Sequence, residues 1–282
     1  MLSKPLAPKS YPLLVLLLSL FAIGPTFSSG YWWGAHDARH SVYFLFEFDQ
    51  AIQDGVLWPR WSPDFAFGYG YPFFNIYGPL SSYVGEIFYL IGFDLEGAVK
   101  ISFALSLLCS GLTMYAFARR FLGVNGGLVA AIAYVYLPYH LADLYVRAAL
   151  AESWAFVWFP LLFWGFYECV TRPRLQAVAL TAISYSLLFL SHNGLAVQVT
   201  FLLIAWVLFW LLFPRSQDET WLWQQPDLLK TPKGKSSTRP ENSPHPPTPS
   251  PNLGRGGANK TCPVLCLLAP PSPIIGRGGL GG

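Results

Sequence analysis

The chain has 282 residues, 53% hydrophobic and only 12% charged, with a formal net charge of +3; soluble domains carry roughly 25% charged residues. This balance excludes an ordinary soluble domain and predicts an all-α integral membrane protein. Its Lys and Arg residues stand in small groups beside apolar runs, which marks them as topology signals and excludes a nucleic-acid partner.

Lys4 and Lys9 precede an apolar run over 11–27. A signal peptide has the same order of charge, apolar run and small residues, here Ser28 to Gly30. Several further runs follow, so an uncleaved first helix with a cytoplasmic N-terminus is expected. The long loop 34–79 then lies outside. The apolar run 80–93 falls short of the ~20 residues a span needs and is expected to lie at the interface. With that choice Arg119 and Arg120 fall inside, and the remaining runs alternate: 98–118, 121–139, 154–167, 175–190 and 195–213. Six spans are expected, seven if 80–93 also crosses. Arg172, Arg174 and Arg215 mark the inner turns, and nearly all other polar chemistry faces the outer side. Pro138 and Pro160 predict kinks or helix ends whose freed carbonyls need protein or water partners.

Composition divides the chain into a transmembrane domain, 1–215, and a tail, 216–282, rich in Pro, Ser, Gly and Lys. Such a tail cannot bury enough apolar surface to offset its ordering entropy, so disorder is expected. Ser250-Pro251-Asn252-Leu253-Gly254-Arg255-Gly256-Gly257 returns as Ser272-Pro273-Ile274-Ile275-Gly276-Arg277-Gly278-Gly279. The repeat reads as a translated element that replaced the true continuation. Of the four cysteines, Cys109 and Cys169 lie in apolar runs and Cys262 and Cys266 in the tail; no C-x-x-C pair occurs, so neither a zinc site nor a disulfide framework is indicated.

The loop 34–79 is the first place where ionisable groups, aromatics and turn residues concentrate. At 100° per residue, His36, His40, Tyr43, Glu47, Gln50 and Asp54 fall on one face of a helix, and Val42, Leu45, Phe48 and Ile52 on the other. An interfacial amphipathic helix fits this pattern, with its polar face toward water or a substrate. Three readings compete for that face: a solvated surface; a metal site using His36 or Asp37 with His40 and Glu47; or a transferase site in which Asp37 is a general base or cation ligand at the outer membrane face. The spacing departs from H-E-x-x-H, since Asp37 stands where Glu belongs. Pro59, Pro63, Gly68, Gly70 and Pro72 make the next stretch a structured loop. Its Trp58, Trp61, Tyr69, Tyr71, Phe73 and Phe74 suit an interfacial belt or a platform for sugar rings or an isoprenoid chain. Arg147 and Glu152, near His140 and Asp143, read either as an ion-pair network or as a phosphate site. His192 and Asn193 occupy a short outer turn.

The order His36-Asp37-Ala38-Arg39-His40, then Gly55-Val56-Leu57-Trp58-Pro59-Arg60-Trp61, Gly68-Tyr69-Gly70-Tyr71-Pro72-Phe73-Phe74 and Tyr77-Gly78-Pro79-Leu80 resembles bacterial multi-pass membrane proteins with a 6-pyruvoyl-tetrahydropterin synthase-related domain. Arg147 to Glu152 and Ser191-His192-Asn193 also fit, so the resemblance covers about residues 1–213. These proteins look like members of the wider GT-C glycosyltransferase superfamily. The pterin label implies no activity here, because the soluble synthase uses a histidine zinc cluster that this chain lacks at suitable positions. The GT-C resemblance implies that Asp37 activates an acceptor or holds a divalent cation, and that the donor is a polyprenyl-phosphate sugar entering from lipid. His36, His40, Arg60, Asp64, Arg147, Glu152, His192 and Asn193 form the candidate substrate-binding set on the same side. Such proteins continue through further spans, so a truncated N-terminal part in the plasma membrane is expected. The alternative is a non-enzymatic transport or envelope-assembly component using the same outer face.

Overall fold

In the computed structural model, which describes residues 10–213, every apolar run of that range is helical. The tail 216–282 with its octapeptide repeat, and Lys4 and Lys9, lie outside the described residues. Helix α1, Tyr11–Ile23, buries Tyr11, Val15, Ser19, Ala22 and Ile23, a stripe at helical spacing. A short 3₁₀ turn, Gly24–Phe27, follows. Helix α2 is Ala38–Gln53, α3 the single turn Phe73–Ile76 and α4 Leu80–Leu90. With 11 residues, α4 is about half the length of a membrane span.

Helix α5, Leu95–Val135, starts where the Asp94 carboxylate caps the Gly97 amide at 3.1 Å, satisfying one orphan donor of the first turn. It is two arms rather than one rod. Gly123, at φ 71 and ψ −176, reverses the chain, a conformation that only glycine adopts without cost. The arms return on each other closely: a methyl group on Gly127 would meet Arg119, and one on Gly111 would meet Val135. The second expected run, 121–139, is therefore shorter in helix, ending at Val135, because Pro138 starts the separate helix α6, Pro138–Ala142.

One π-helical turn, Asp143–Arg147, leads to α7, Leu150–Thr171. Pro160 sits inside α7 without ending it. Its ring leaves the carbonyl of Phe156 unpaired within the helix, and the Tyr134 hydroxyl donates to that carbonyl at 2.9 Å. Helix α8, Leu175–Ser191, packs along α7 closely enough that a methyl group on Gly165 would strike Thr181. Helix α9, Asn193–Leu212, follows after His192, whose ring accepts from the Leu195 amide at 3.2 Å.

Two larger apolar cores hold the bundle, with a smaller one where Tyr11 and Val15 of α1 meet Tyr115 and Ala131 of α5. The largest joins α1, α2, α5 and α7 through residues such as Val42, Phe103, Leu107, Leu144 and Val157. The second joins α7, α8 and α9 through Ala155, Leu162, Leu188, Ala196 and Leu203. Hydroxyl contacts stitch α5 to α7, Ser106 to Ser153 at 2.8 Å and Trp154 to Ser102 at 3.0 Å, as suits helices that lack a strong hydrophobic drive to associate. Among the described residues two stretches are long and apolar enough to cross a membrane, Leu95–Arg147, which folds back at Gly123, and Asn193–Leu212; Tyr11–Phe27 and Leu175–Ser191 are shorter apolar helices. Phe201, Leu202 and Leu212 of α9 are exposed, an apolar surface that lipid solvates at no cost.

Charged groups gather at both ends of α7. Arg120 pairs with Glu168 at 3.0 Å and covers the Trp164 ring at 4.4 Å, and Arg172 and Arg174 line the same small pocket. Glu152 stands in the first turn of α7, roughly 24 Å away at 1.5 Å per residue.

Helix α2 keeps its expected orientation, with Val42, Leu45 and Phe48 buried and His36, His40, Tyr43, Gln50 and Asp54 exposed, except at one acid on its polar face. Glu47, assigned to a water-facing side, is 3% exposed, and Asp49 is 2% exposed. Helical periodicity separates two faces, but the loop before α4 brings Asp64 onto the polar one at Glu47. Asp49 lies beside Glu86 of α4, itself 4% exposed, and Gln53 donates to Asp49 at 2.7 Å. Both Glu86 carboxyl oxygens lack a hydrogen-bond partner. Burial first, and Asp49 second, push Glu86 up to about 7 from 4.5. A carboxyl group with a raised pKa stabilises the fold below its unfolded value, and that stability is lost as pH rises through its folded value. The melting temperature of the detergent-solubilised protein is therefore expected to fall as pH climbs from 4.5 to above 7, and Glu86→Gln is expected to flatten that fall.

Candidate functional site

The first turn of α2 is tied to a segment more than a hundred residues away. The amide of His36 donates to the Val146 carbonyl at 3.1 Å and that of Asp37 to the Arg147 carbonyl at 2.7 Å. Ser41 adds a side-chain bond to the Ala148 carbonyl at 3.3 Å. Ala148 holds the left-handed conformation, φ 53, and Ala149 donates back to the Asp143 carbonyl at 3.2 Å. Left-handed backbone at a non-glycine residue costs about 1–2 kcal/mol, so the surrounding bonds enforce this turn.

The turn aims Arg147 at two acids. Its Nη1 lies 2.5 Å from Glu152 and 3.1 Å from Asp143, the latter within ion-pair distance but without hydrogen-bond geometry. Tyr139 donates to Glu152 at 2.6 Å and accepts from Arg147 at 2.7 Å. Asp143 is fully buried, whereas the Arg147 side chain is 35% exposed. One guanidinium thus faces two carboxyl groups in a partly dry setting. His140 packs behind them against Phe156 at 4.5 Å, with Nε2 unpartnered.

Tyr77 bridges this network to α2. Burial raises its pKa most, and then the negative charges of Asp37 and Glu152, so its hydroxyl stays protonated and available as a donor. Its ring stacks on Phe73 at 5.3 Å and meets His192 at 5.4 Å. Burial pushes His192 down, leaving the neutral ring that caps α9. The Asn193 side-chain amide donates to the Ile76 carbonyl, and Gly78 lies against the α8 terminus so tightly that a methyl group would sit 2.3 Å from the Leu190 carbonyl. Gly78→Ala is therefore expected to destabilise the fold by about 1–3 kcal/mol and to displace Tyr77 from His192, read as a lower melting temperature and faster proteolysis between residues 55 and 80.

Two hollows meet at this end. A cavity of about 240 Å³ between α2 and α4 is lined by Asp37, His40, Ser41, Phe44, Tyr77 and Ser82. An open groove of about 890 Å³ lies between α2 and the loop, lined in part by His40, Phe44, Glu47, Asp64 and Tyr71. His40 and Phe44 border both. Asp37 is half-exposed and sits 3.5 Å from His40.

Of the residues singled out from sequence, Asp37 and His40 line the cavity, and Arg147, Glu152, His192 and Asn193 stand at the same end of the helices. His36 is exposed and contributes its backbone. Asp64 faces Glu47 across the groove instead, and Arg60 is exposed on the loop. Among the described residues no three His, Cys, Asp or Glu side chains converge as a metal ion requires. The trio Asp37, His40 and Glu47 fails because Glu47 is buried against Asp64. Tyr139 and Tyr77 escaped sequence reasoning as site residues, and Asp143 was read only as a neighbour of the Arg147–Glu152 pair. Asp143 had a signal, an acid one helical turn before Arg147 in an apolar setting; Tyr77 had none beyond its place beside Gly78.

Residues 74–221, more than half of the chain, match the family described as 6-pyruvoyl-tetrahydropterin synthase related domain; membrane protein. A relative from Lactococcus lactis subsp. cremoris (strain MG1363), an uncharacterized protein, is 24% identical over 206 residues, 71% of this chain and 33% of its own length. The chain thus spans about a third of that relative. No solved structure matches. With its helices, its apolar outer surface and this match, the chain belongs to the 6-pyruvoyl-tetrahydropterin synthase related family of membrane proteins.

Proposed function

We propose that the protein is a GT-C-like glycosyltransferase component that works on a polyprenyl-phosphate sugar at the extracytoplasmic face of the plasma membrane. The observation that carries this reading is the backbone pairing of His36 and Asp37 with Val146 and Arg147. That pairing supports the reading by drawing together the backbones that carry the half-exposed Asp37 and the partly exposed Arg147, at the end where the apolar helices terminate. Transfer needs both groups. A carboxylate takes the proton of the acceptor hydroxyl as that oxygen attacks the anomeric carbon. A guanidinium receives the negative charge as the carbon–oxygen bond to phosphate breaks and polyprenyl phosphate leaves. Asp37 fills the first role and Arg147 the second, with Tyr77 positioned to donate to a phosphate oxygen.

A divalent cation does not fit the acids present, since Asp143 and Glu152 face Arg147 and Glu47 faces Asp64. Six spans with a cytoplasmic N-terminus suit this arrangement, because Arg120, Arg172 and Arg174 gather at one end of α7 and the Asp37 network at the other, as the positive-inside bias favours. The test is turnover: membranes containing the full chain, given a fluorescent polyprenyl-phosphate sugar, are expected to consume it faster than membranes lacking the protein. Equal consumption would favour a transport or assembly role.

A further inference from the structure

We propose that the open groove between α2 and the loop 62–73 is a binding site for a sugar ring, held by stacking on its aromatic wall and by hydrogen bonds to the Glu47–Asp64 carboxyl pair. The wall is preassembled. Phe44 lies 4.0 Å from Phe73 and 5.7 Å from Phe65, and Phe65 lies 5.4 Å from Phe73. Reciprocal backbone bonds of 2.9 Å between Ser62 and Tyr71 fix the loop that carries two of these rings. At its tip Ala66 and Phe67 both take positive φ, 55 and 61, and Phe67 is fully exposed, so a strained turn presents the far rim of the groove.

The polar groups select the ligand. Glu47 lines the groove although its residue is 3% exposed, and its Oε2 has no hydrogen-bond partner. An unpaired buried carboxyl oxygen costs about 1–3 kcal/mol, and a ligand hydroxyl would recover that cost. Burial raises the Glu47 pKa, with the Asp64 charge adding to it, and the pair offers acceptor oxygens to ligand hydroxyls. Two carboxyl groups, with His40 as the one basic side chain among the lining residues, repel a phosphate. A hydrocarbon chain would leave Glu47 unsatisfied. A neutral polyhydroxylated ring meets both demands, an apolar face for the aromatic wall and hydroxyls for the acids. Because His40 and Phe44 border both hollows, a ring in the groove points toward Asp37, the position of an acceptor. This assignment deepens the transferase reading and rests on it for the ligand class, while binding itself requires no transfer.

The experiment is a ligand-observed NMR titration of the full chain in detergent with neutral tetrasaccharides of glucose, mannose, galactose and N-acetylglucosamine. At least one is expected to bind saturably, with Tyr71→Ala and Glu47→Ala each weakening it tenfold or more. Tyr71→Phe is expected to retain it, and Phe93→Ala, outside the groove, to leave it unchanged. Binding by none of the four, or binding indifferent to Tyr71→Ala and Glu47→Ala, overturns the assignment. Displacement of a bound tetrasaccharide by free isoprenyl phosphate in the groove overturns it too. Donor turnover without groove-dependent sugar binding would sink this site alone, and groove-dependent sugar binding without turnover would sink the transferase reading alone.

Discussion

Arg147→Met is expected to lower the stability of the purified protein by about 3 kcal/mol, the cost of leaving buried acids without their partner. Arg147 is the counter-charge for Glu152, 7% exposed at the side chain, and stands 3.1 Å from Asp143, fully buried. Its own partial exposure places the figure at the low end of that range. For a chain of this size such a loss corresponds to a melting temperature lower by about 10 °C. Methionine keeps the length and apolar stem, so lost packing contributes little. Adding Asp143→Asn and Glu152→Gln to Arg147→Met removes the stranded charges and is expected to restore much of the stability, since neutral replacement of a buried ionic set is often tolerated. Donor turnover is not expected to return with it, because no cation then faces the phosphate. A triple variant that stays as unstable as Arg147→Met would show that the guanidinium acts through packing instead.

Local pattern carried the helices but not their meeting points. The apolar runs at 11–27, 175–190 and 195–213 correspond to α1 with its 3₁₀ turn, α8 and α9, because a lipid-facing helix must be apolar along its length. Arg147 and Glu152 were legible as a pair from their spacing. The pairing of His36 and Asp37 with Val146 and Arg147 was not, since two short backbone hydrogen bonds across that separation leave no periodic trace. Glu47, Asp49 and Glu86 were misjudged or passed over for a related reason: a hydrophobic period states which face is apolar, not what later packs on the polar one. The reversal at Gly123 lies just beyond the inner turn expected at Arg119 and Arg120, and the shift marks the one position of α5 whose positive φ needs a glycine.

Asp37→Asn is expected to have the largest effect on chemistry and almost none on the fold. Asp37 heads α2, its side chain makes no capping bond, and it is half-exposed beside His40. The backbone amide that binds Arg147 survives the substitution. Asparagine keeps the shape but cannot accept a proton, and loss of a general base costs about 10²–10⁴ in rate. His40→Ala serves as the comparison: His40 lines the cavity but carries no step, so a loss of less than tenfold in turnover is expected from it.

The most direct measurement is the initial rate of polyprenyl-phosphate sugar consumption by equal amounts of folded wild-type and Asp37→Asn protein in native membranes, with folding checked by melting temperature. A rate lower by at least about a hundredfold at an unchanged melting temperature is the expected result. An Asp37→Asn rate equal to wild type would contradict the assignment of Asp37 as the acceptor's base.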